Sequence, residues 1–245
     1  MASRAIEVNQ EEIYLRNFSK HVLVDSKAIE GLATKLLTIF SAESHRYENF
    51  DELLLDYHIL SVRTPTLVKG PLAIEIEGVR FDIGSLNGEF ALSSSVLHRM
   101  KILGLNASKV ITIENQTTFY DYQDSDALII YLGGYASGDR IELLKLLHTS
   151  FPGIPFYHFG DIDWGGFRIF MHLVRVSEIP FRPLFMDVET LESYRKEWIK
   201  LTADEVKRLK ALLEDETHPF KPVIQYMLEH GIKLEQESLS ASNQD

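Results

Sequence analysis

Three short runs, Val110-Ile-Thr-Ile-Glu114, Ala127-Leu-Ile-Ile-Tyr-Leu132 and Pro155 to Asp163, are apolar with little or no alternation. Successive side chains of a strand point to opposite faces, so a strand that is apolar throughout has both faces covered. Between and after these runs, Asp139 to Leu147 and Phe167 to Val176 carry apolar residues at helical spacing. Pro180 to Asp187 reads as a fourth strand, and Pro183 puts it at or near an edge. Helices are expected at about 189–200, 203–214 and 219–230. Strands alternating with amphipathic helices predict an α/β fold with a mostly parallel sheet. Ligands of such sheets bind beyond the carboxyl ends of the strands.

The preceding residues follow another pattern. Residues 1–60 look mainly helical, with one helix over Asp25 to Phe40 and a second over Glu48 to Leu60. Leu72 to Glu77 and Val79 to Ile83 alternate about a Glu77-Gly78 turn, the mark of an antiparallel hairpin. Ser93 to Leu103 reads as a short helix ending near Gly104. The expected organisation is therefore a small α+β region over 1–105, helices plus hairpin, and a sheet domain with C-terminal helices over 106–245. The polar tail from Ser238 to Asp245 is expected to be disordered.

The absence of cysteine excludes disulfides, thiolate metal sites and cysteine nucleophiles. The start lacks the apolar core of a signal peptide, and the most apolar stretch, Ala127 to Ala136, is too short to span a bilayer. The expectation is a cytoplasmic protein with no membrane partner. A net charge of −11 argues against a surface coated for nucleic-acid binding, though not against a narrow site or a basic partner.

Acidic residues close the apolar runs. Glu114 ends the first, Asp161 and Asp163 end the third, and Asp187 ends the fourth. On a strand, Asp161 and Asp163 would share a face, roughly 6.5–7 Å apart along the backbone. A divalent cation would relieve their mutual repulsion, and hard cations prefer such oxygen ligands. Gly165 and Gly166 suit a tight passage from strand into helix. Each acid also has a plainer reading: Glu114 as a solvated strand end, the D-x-D as a turn or cap, and Asp187 as the cap of the next helix. His158 reads as a packed histidine, Trp164 as packing beside the glycines, and Lys145 and Arg168 as solvated helix charges. Gly133 to Gly138 lacks the Lys-Ser or Lys-Thr of a P-loop.

Glu114-Asn115 after one strand, followed by Gly160-Asp-Ile-Asp-Trp-Gly-Gly-Phe167, resembles a TOPRIM domain, the catalytic module of type II topoisomerases, primases and some nucleases. More narrowly, Leu15 to Lys20 with Asp25-Ser-Lys27, Ile113 to Phe119, the D-x-D segment and Gly231 to Glu237 resemble the C-terminal part of the JetD family of Wadjet plasmid-defence systems. The topoisomerase VI A subunit is a more distant relative by the same motif. The resemblance covers nearly all of the chain. It implies a Mg²⁺- or Mn²⁺-dependent DNA nuclease acting with an SMC-type condensin-like complex, and it leaves a homodimer open. It assigns Glu114, Asp161 and Asp163 to the catalytic metal centre. Glu235 and Glu237 match a recurrent family segment, and they also read as a solvated charge cluster. Family members carry a further N-terminal arm region, so this chain is expected to be a short member or a fragment.

Two ions about 3.5–4 Å apart supply what phosphodiester hydrolysis needs: a nucleophilic water, charge neutralisation and help for the leaving oxygen. In that scheme Asp161 and Asp163 anchor one ion, and Glu114 binds the other, bridges them, or acts as general base or acid. The alternatives are a non-catalytic DNA- or partner-binding subunit with a vestigial acidic rim, and a small-molecule phosphatase using the first aspartate as nucleophile.

Overall fold

The computed structural model describes residues 1–41, 47, 50–60 and 65–240. Contacts divide the chain into two compact units, Met1–Thr64 and Pro65–Asp245.

The first unit contains α1 (Ala2–Glu7), β1 (Ile13–Tyr14), α2 (Leu15–Leu23), α3 (Ala33–Ser41), α4 (Phe50–Asp56) and β2 (Ile59–Leu60). Ile6, Leu15, Phe18, Ile29, Leu53 and Leu54 belong to its own core. The helix expected from Asp25 begins later. Asp25 Oδ1 accepts from Lys27 N at 2.8 Å, which holds the chain in a turn until a 3₁₀ segment at Glu30–Leu32 leads into α3. The second expected helix is shorter at its far end. His58 takes a left-handed conformation (φ 59°) and the chain passes into β2, while Glu48 lies outside the described residues.

The second unit opens with β3 (Thr66–Lys69), β4 (Leu72–Ile76), β5 (Val79–Asp82), β6 (Phe90–Leu92), α5 (Ser94–Leu97) and β7 (Met100–Leu105). Then come β8 (Lys109–Ile113), α6 (Gln116–Asp121), β9 (Ala127–Tyr131), α7 (Gly138–Ser150), β10 (Phe156–Phe159), α8 (Trp164–Ser177) and β11 (Arg182–Pro183). It closes with α9 (Val188–Ser193), β12 (Ile199–Lys200), α10 (Ala203–Leu212), α11 (Lys221–His230), β13 (Ile232–Lys233) and α12 (Glu237–Ser240).

The main sheet has six strands in the order β11-β10-β8-β9-β3-β6. The first four run parallel, and β3 and β6 add antiparallel strands beyond β9. The fold is mixed α/β. Burial explains the apolar runs: Val110, Ile111, Ile113, Leu128, Ile130 and Phe156 are at most 2% exposed. The hairpin forms as expected, with Glu77 and Gly78 both left-handed (φ 52° and 84°), the signature of a tight two-residue turn.

Three expectations are corrected. Residues 100–105 are the strand β7, paired with β4, and the helix after Ser93 stops at Leu97. The compact units divide after Thr64, well before residue 105, because β3 and β6 join the sheet that contains the parallel strands. The fourth parallel strand is reduced to Arg182–Pro183 at the sheet edge, where a missing N–H costs no ladder bond. Ser238–Ser240 fall within α12, and residues 241–245 lie outside the described residues. Among the described residues no helix is long and apolar enough to cross a membrane.

Candidate metal centre

Glu114 N donates to Phe159 O at 3.0 Å, extending the β8–β10 pairing one residue past the end of β8. Asn115 then caps α6, its Oδ1 accepting from Thr118 N at 3.0 Å, so the chain turns away at once and leaves Glu114 on the rim. Gly160 comes next after the neighbouring strand, β10. A Cβ there would sit 2.7 Å from Glu114 Oε2 and 2.9 Å from His158 Nε2, closer than any side chain tolerates. The glycine before the aspartates is therefore a packing requirement of Glu114 and His158.

The D-x-D is not part of β10, which stops at Phe159. Both aspartates lie in the connection to α8. They flank Ile162, which is fully buried and bridges antiparallel to Leu234. Asp163 caps α8, with Oδ1 accepting from Gly166 N at 2.8 Å, where the positive end of a 14-residue helix favours a carboxylate. Its Oδ2 lies 3.9 Å from Lys233 Nζ, which is 3.0 Å from Glu205 Oε1. The first turn of α8 also presses on Asp161. A Cβ on Gly166 would meet Asp161 O at 2.2 Å, so only glycine allows this approach.

Asp161 Oδ1 accepts from Gln236 N at 2.7 Å. Burial pushes its carboxyl up to about 7, Asp163 adds to the rise, the Gln236 bond opposes it, and Glu237 and Glu235 raise it further. Asp161, Asp163, Glu235 and Glu237 therefore share one negative field, only partly relieved by Lys233, with Glu114 across Gly160.

Gln236 holds this arrangement together, and the sequence reading passed it over. It is fully buried. Its Nε2 donates to Phe159 O at 2.7 Å, its Oε1 accepts from Asn115 N at 2.8 Å, and its own N–H serves Asp161. One side chain ties the ends of β8 and β10, and its backbone ties the D-x-D connection. Glu237 Oε1 accepts from Asn115 Nδ2. Ile232, Leu234 and Gln236 alternate inward while Glu235 and Glu237 are exposed. That period of two is the signal that separates Gln236 from a solvated charge run.

Asp187 has a structural role of its own. It is exposed and caps α9, its Oδ1 accepting from Thr190 N at 2.8 Å. It lines a cleft of about 500 Å³ with Tyr122, Phe159, Phe185 and Tyr194, which Glu114, Asp161 and Asp163 do not line. Trp164 is buried with the Arg168 and Arg208 guanidinium groups 4.6 and 4.8 Å from its ring centre, so it packs as expected. His158 is fully buried and burial pushes its ring down to about 3, keeping it neutral.

Among the described residues, the one trio of metal-ligating side chains with ligand atoms all within 4.8 Å of one another is His98, Asp139 and Glu142. The oxygens of Glu114, Asp161 and Asp163 are spread more widely. An all-oxygen donor set with a carboxyl pushed up by burial and then by its acidic neighbours nevertheless fits a hard divalent cation, whose charge favours the ionised form.

Residues 69–244 match the family model described as Wadjet protein JetD, C-terminal. A curated relative, the Wadjet protein JetD of Bacillus cereus (strain Q1), is 30% identical over 239 residues, which is 95% of this chain and 58% of that protein. The chain thus spans a little over half the length of this relative.

Proposed function

The chain belongs to the Wadjet JetD C-terminal family, and on that premise we propose that it is a Mg²⁺- or Mn²⁺-dependent DNA endonuclease with a TOPRIM-like sheet, acting in the cytoplasm within a condensin-like plasmid-defence complex. The observation that carries the reading is Asp161, wedged among Asp163, Glu235 and Glu237 with its carboxyl pushed up to about 7, one residue beyond the glycine that faces Glu114. The parallel order β11-β10-β8-β9, with the glutamate after β8 and the aspartates after adjacent β10, supports it.

Asp161 and Asp163 are the residues that would anchor the metal, with Glu114 opposite and Glu235 and Glu237 within electrostatic reach. Bound ions would activate water and neutralise the scissile phosphate. The ligand atoms of the three carboxylates do not all come within 4.8 Å of one another, which would suit a pair of ions better than one. Asp161 would give up its proton to a bound cation, which would couple metal uptake to proton release near neutral pH. Glu114, held at the strand end by its backbone bond to Phe159, serves as a ligand or as general base. The net charge of −11 means that most contact with the DNA backbone comes from partner subunits.

The second reading, a non-catalytic subunit, draws on the same charge and on the spacing of the carboxylates. Titration calorimetry with Mn²⁺ and a plasmid-nicking assay separate the two. The proposal expects metal binding and cleavage, with Glu114→Ala and Asp161→Ala each folded and each losing roughly a thousandfold in rate. Metal binding without cleavage in the presence of partner subunits selects the non-catalytic reading. Cleavage undiminished in both variants removes the acidic rim from the chemistry.

A further inference from the structure

His158 is a buried polar residue with half of its hydrogen-bonding capacity unspent. It pairs across the sheet with Thr112, and both are fully buried. His158 Nδ1 lies 2.9 Å from Thr112 Oγ1, while Nε2 is buried and makes no hydrogen bond. A polar atom left this way in the interior destabilises the fold unless something nearby can satisfy it. On one side the ring meets Phe170, at 6.0 Å between ring centres, which offers nothing. On the other, Nε2 and Glu114 Oε2 both lie within 3 Å of the Cβ position that Gly160 leaves vacant.

We infer that His158 is the positioning residue of Glu114, donating from Nε2–H to Glu114 Oε2 across the gap kept open by Gly160. The tautomer follows from the two ends of the ring. A bare Nε2 would set a lone pair against a carboxylate oxygen, two acceptors facing each other. Thr112 Oγ1 has one proton and two acceptors in reach, His158 Nδ1 at 2.9 Å and Tyr157 O at 3.2 Å. Giving it to the nearer one leaves the ring proton on Nε2. Thr112 and His158 then form a relay of donors from the sheet interior to the Glu114 carboxylate at the rim. Such a bond fixes how the carboxylate is turned and leaves its second oxygen for a cation, the role that outer partners play at metal sites. The inference rests on Glu114 being a metal ligand, as proposed above, but the hydrogen bond itself requires no metal.

Long-range ¹H–¹⁵N correlation spectra of the metal-free protein, labelled with ¹⁵N-histidine and assigned with His158→Phe, read the tautomer directly. The expected result is a proton on Nε2, with its resonance displaced in Glu114→Ala. A proton on Nδ1 overturns the inference and leaves Nε2 bare as a nitrogen ligand. Calorimetry with Mn²⁺ reads the consequence: His158→Phe keeps the ring volume and is expected to bind about tenfold or more weakly than the parent. Equal binding overturns the positioning role. Should that variant not fold, the parent's tautomer still decides. A parent with the Nε2 proton that binds no Mn²⁺ removes the metal reading alone.

Discussion

His98, Asp139 and Glu142 crowd more closely than Glu114, Asp161 and Asp163, yet the two groups differ in what their charges meet. In the first, His98 Nδ1 and Glu142 Oε1 are 3.0 Å apart and both side chains are exposed. Asp139 accepts from the Ser94 hydroxyl and stands in the first turn of α7, where a carboxylate is favoured. Each acid has a local answer. In the second, one lysine 3.9 Å from Asp163 is shared with Glu205, and one backbone N–H serves Asp161 against three acidic neighbours. Closeness of ligand atoms measures how well a cluster has satisfied itself. Repulsion held in place by packing is what a cation can answer.

The largest test of that difference concerns the packing. If α8 forces Asp161 into its position, Gly166→Ala must disturb it, since the added carbon would lie 2.2 Å from Asp161 O. The expected loss is about 3 kcal/mol in urea denaturation, at the upper end of overpacking costs. Gly153→Ala, where a Cβ meets nothing within 4 Å, is the matched control and should change stability by no more than about 0.5 kcal/mol. Equal effects from the two substitutions would mean that the acidic rim is not held by this approach.

The next effect is electrostatic. Asp161 binds its proton more tightly in the folded chain, about 7 against an ordinary 3.8. Its contribution to stability is therefore full below about pH 4, declines as the pH rises, and is lost above about pH 7. Asp161→Asn keeps an acceptor for Gln236 N–H and removes the charge. In the metal-free protein the variant should gain on the parent steadily between pH 4 and pH 7, reaching roughly 2–3 kcal/mol. Saturating Mn²⁺ should reverse the order, because only the parent keeps the full ligand set. A difference that does not grow with pH would mean that neither burial nor the acidic neighbours weigh on the Asp161 charge.

How much of this could be read in the sequence depends on where each constraint lies. β8, β9, β10, α7 and α8 were legible because burial on both faces or one stripe is written into local periodicity. The hairpin was legible because Glu77-Gly78 marks its own turn. The strand over 100–105 was not, since it is β4 alongside that makes Met100 to Leu105 extended. Nor does anything in Thr66 to Lys69 announce pairing with β9, far along the chain. At the site, Glu114, Asp161 and Asp163 were named from their positions after apolar runs. Asp163 also caps a helix, and Asp187 does only that among the roles considered. Gln236 and His158 were hidden because their roles lie in partners distant in sequence, Asn115 and Phe159 for one and Thr112 and Gly160 for the other.

The smallest expected effect falls on the tighter cluster. Glu142→Gln keeps the side-chain length and removes one charge from an exposed pair with His98. Exposed pairs contribute little, because water already solvates both partners and ordering two side chains costs entropy. Stability should fall by no more than about 0.5 kcal/mol. Mn²⁺ affinity and nicking should stay within about twofold of the parent, as mutations that touch no ligand leave metal sites alone. A tenfold loss of Mn²⁺ affinity in Glu142→Gln, with Asp161→Asn unaffected, would invert the comparison and make proximity of ligand atoms the better guide. The opposite pattern is expected, because Glu142 already has His98 beside it, whereas Asp161 has one backbone N–H set against burial and three acidic neighbours that a cation offsets.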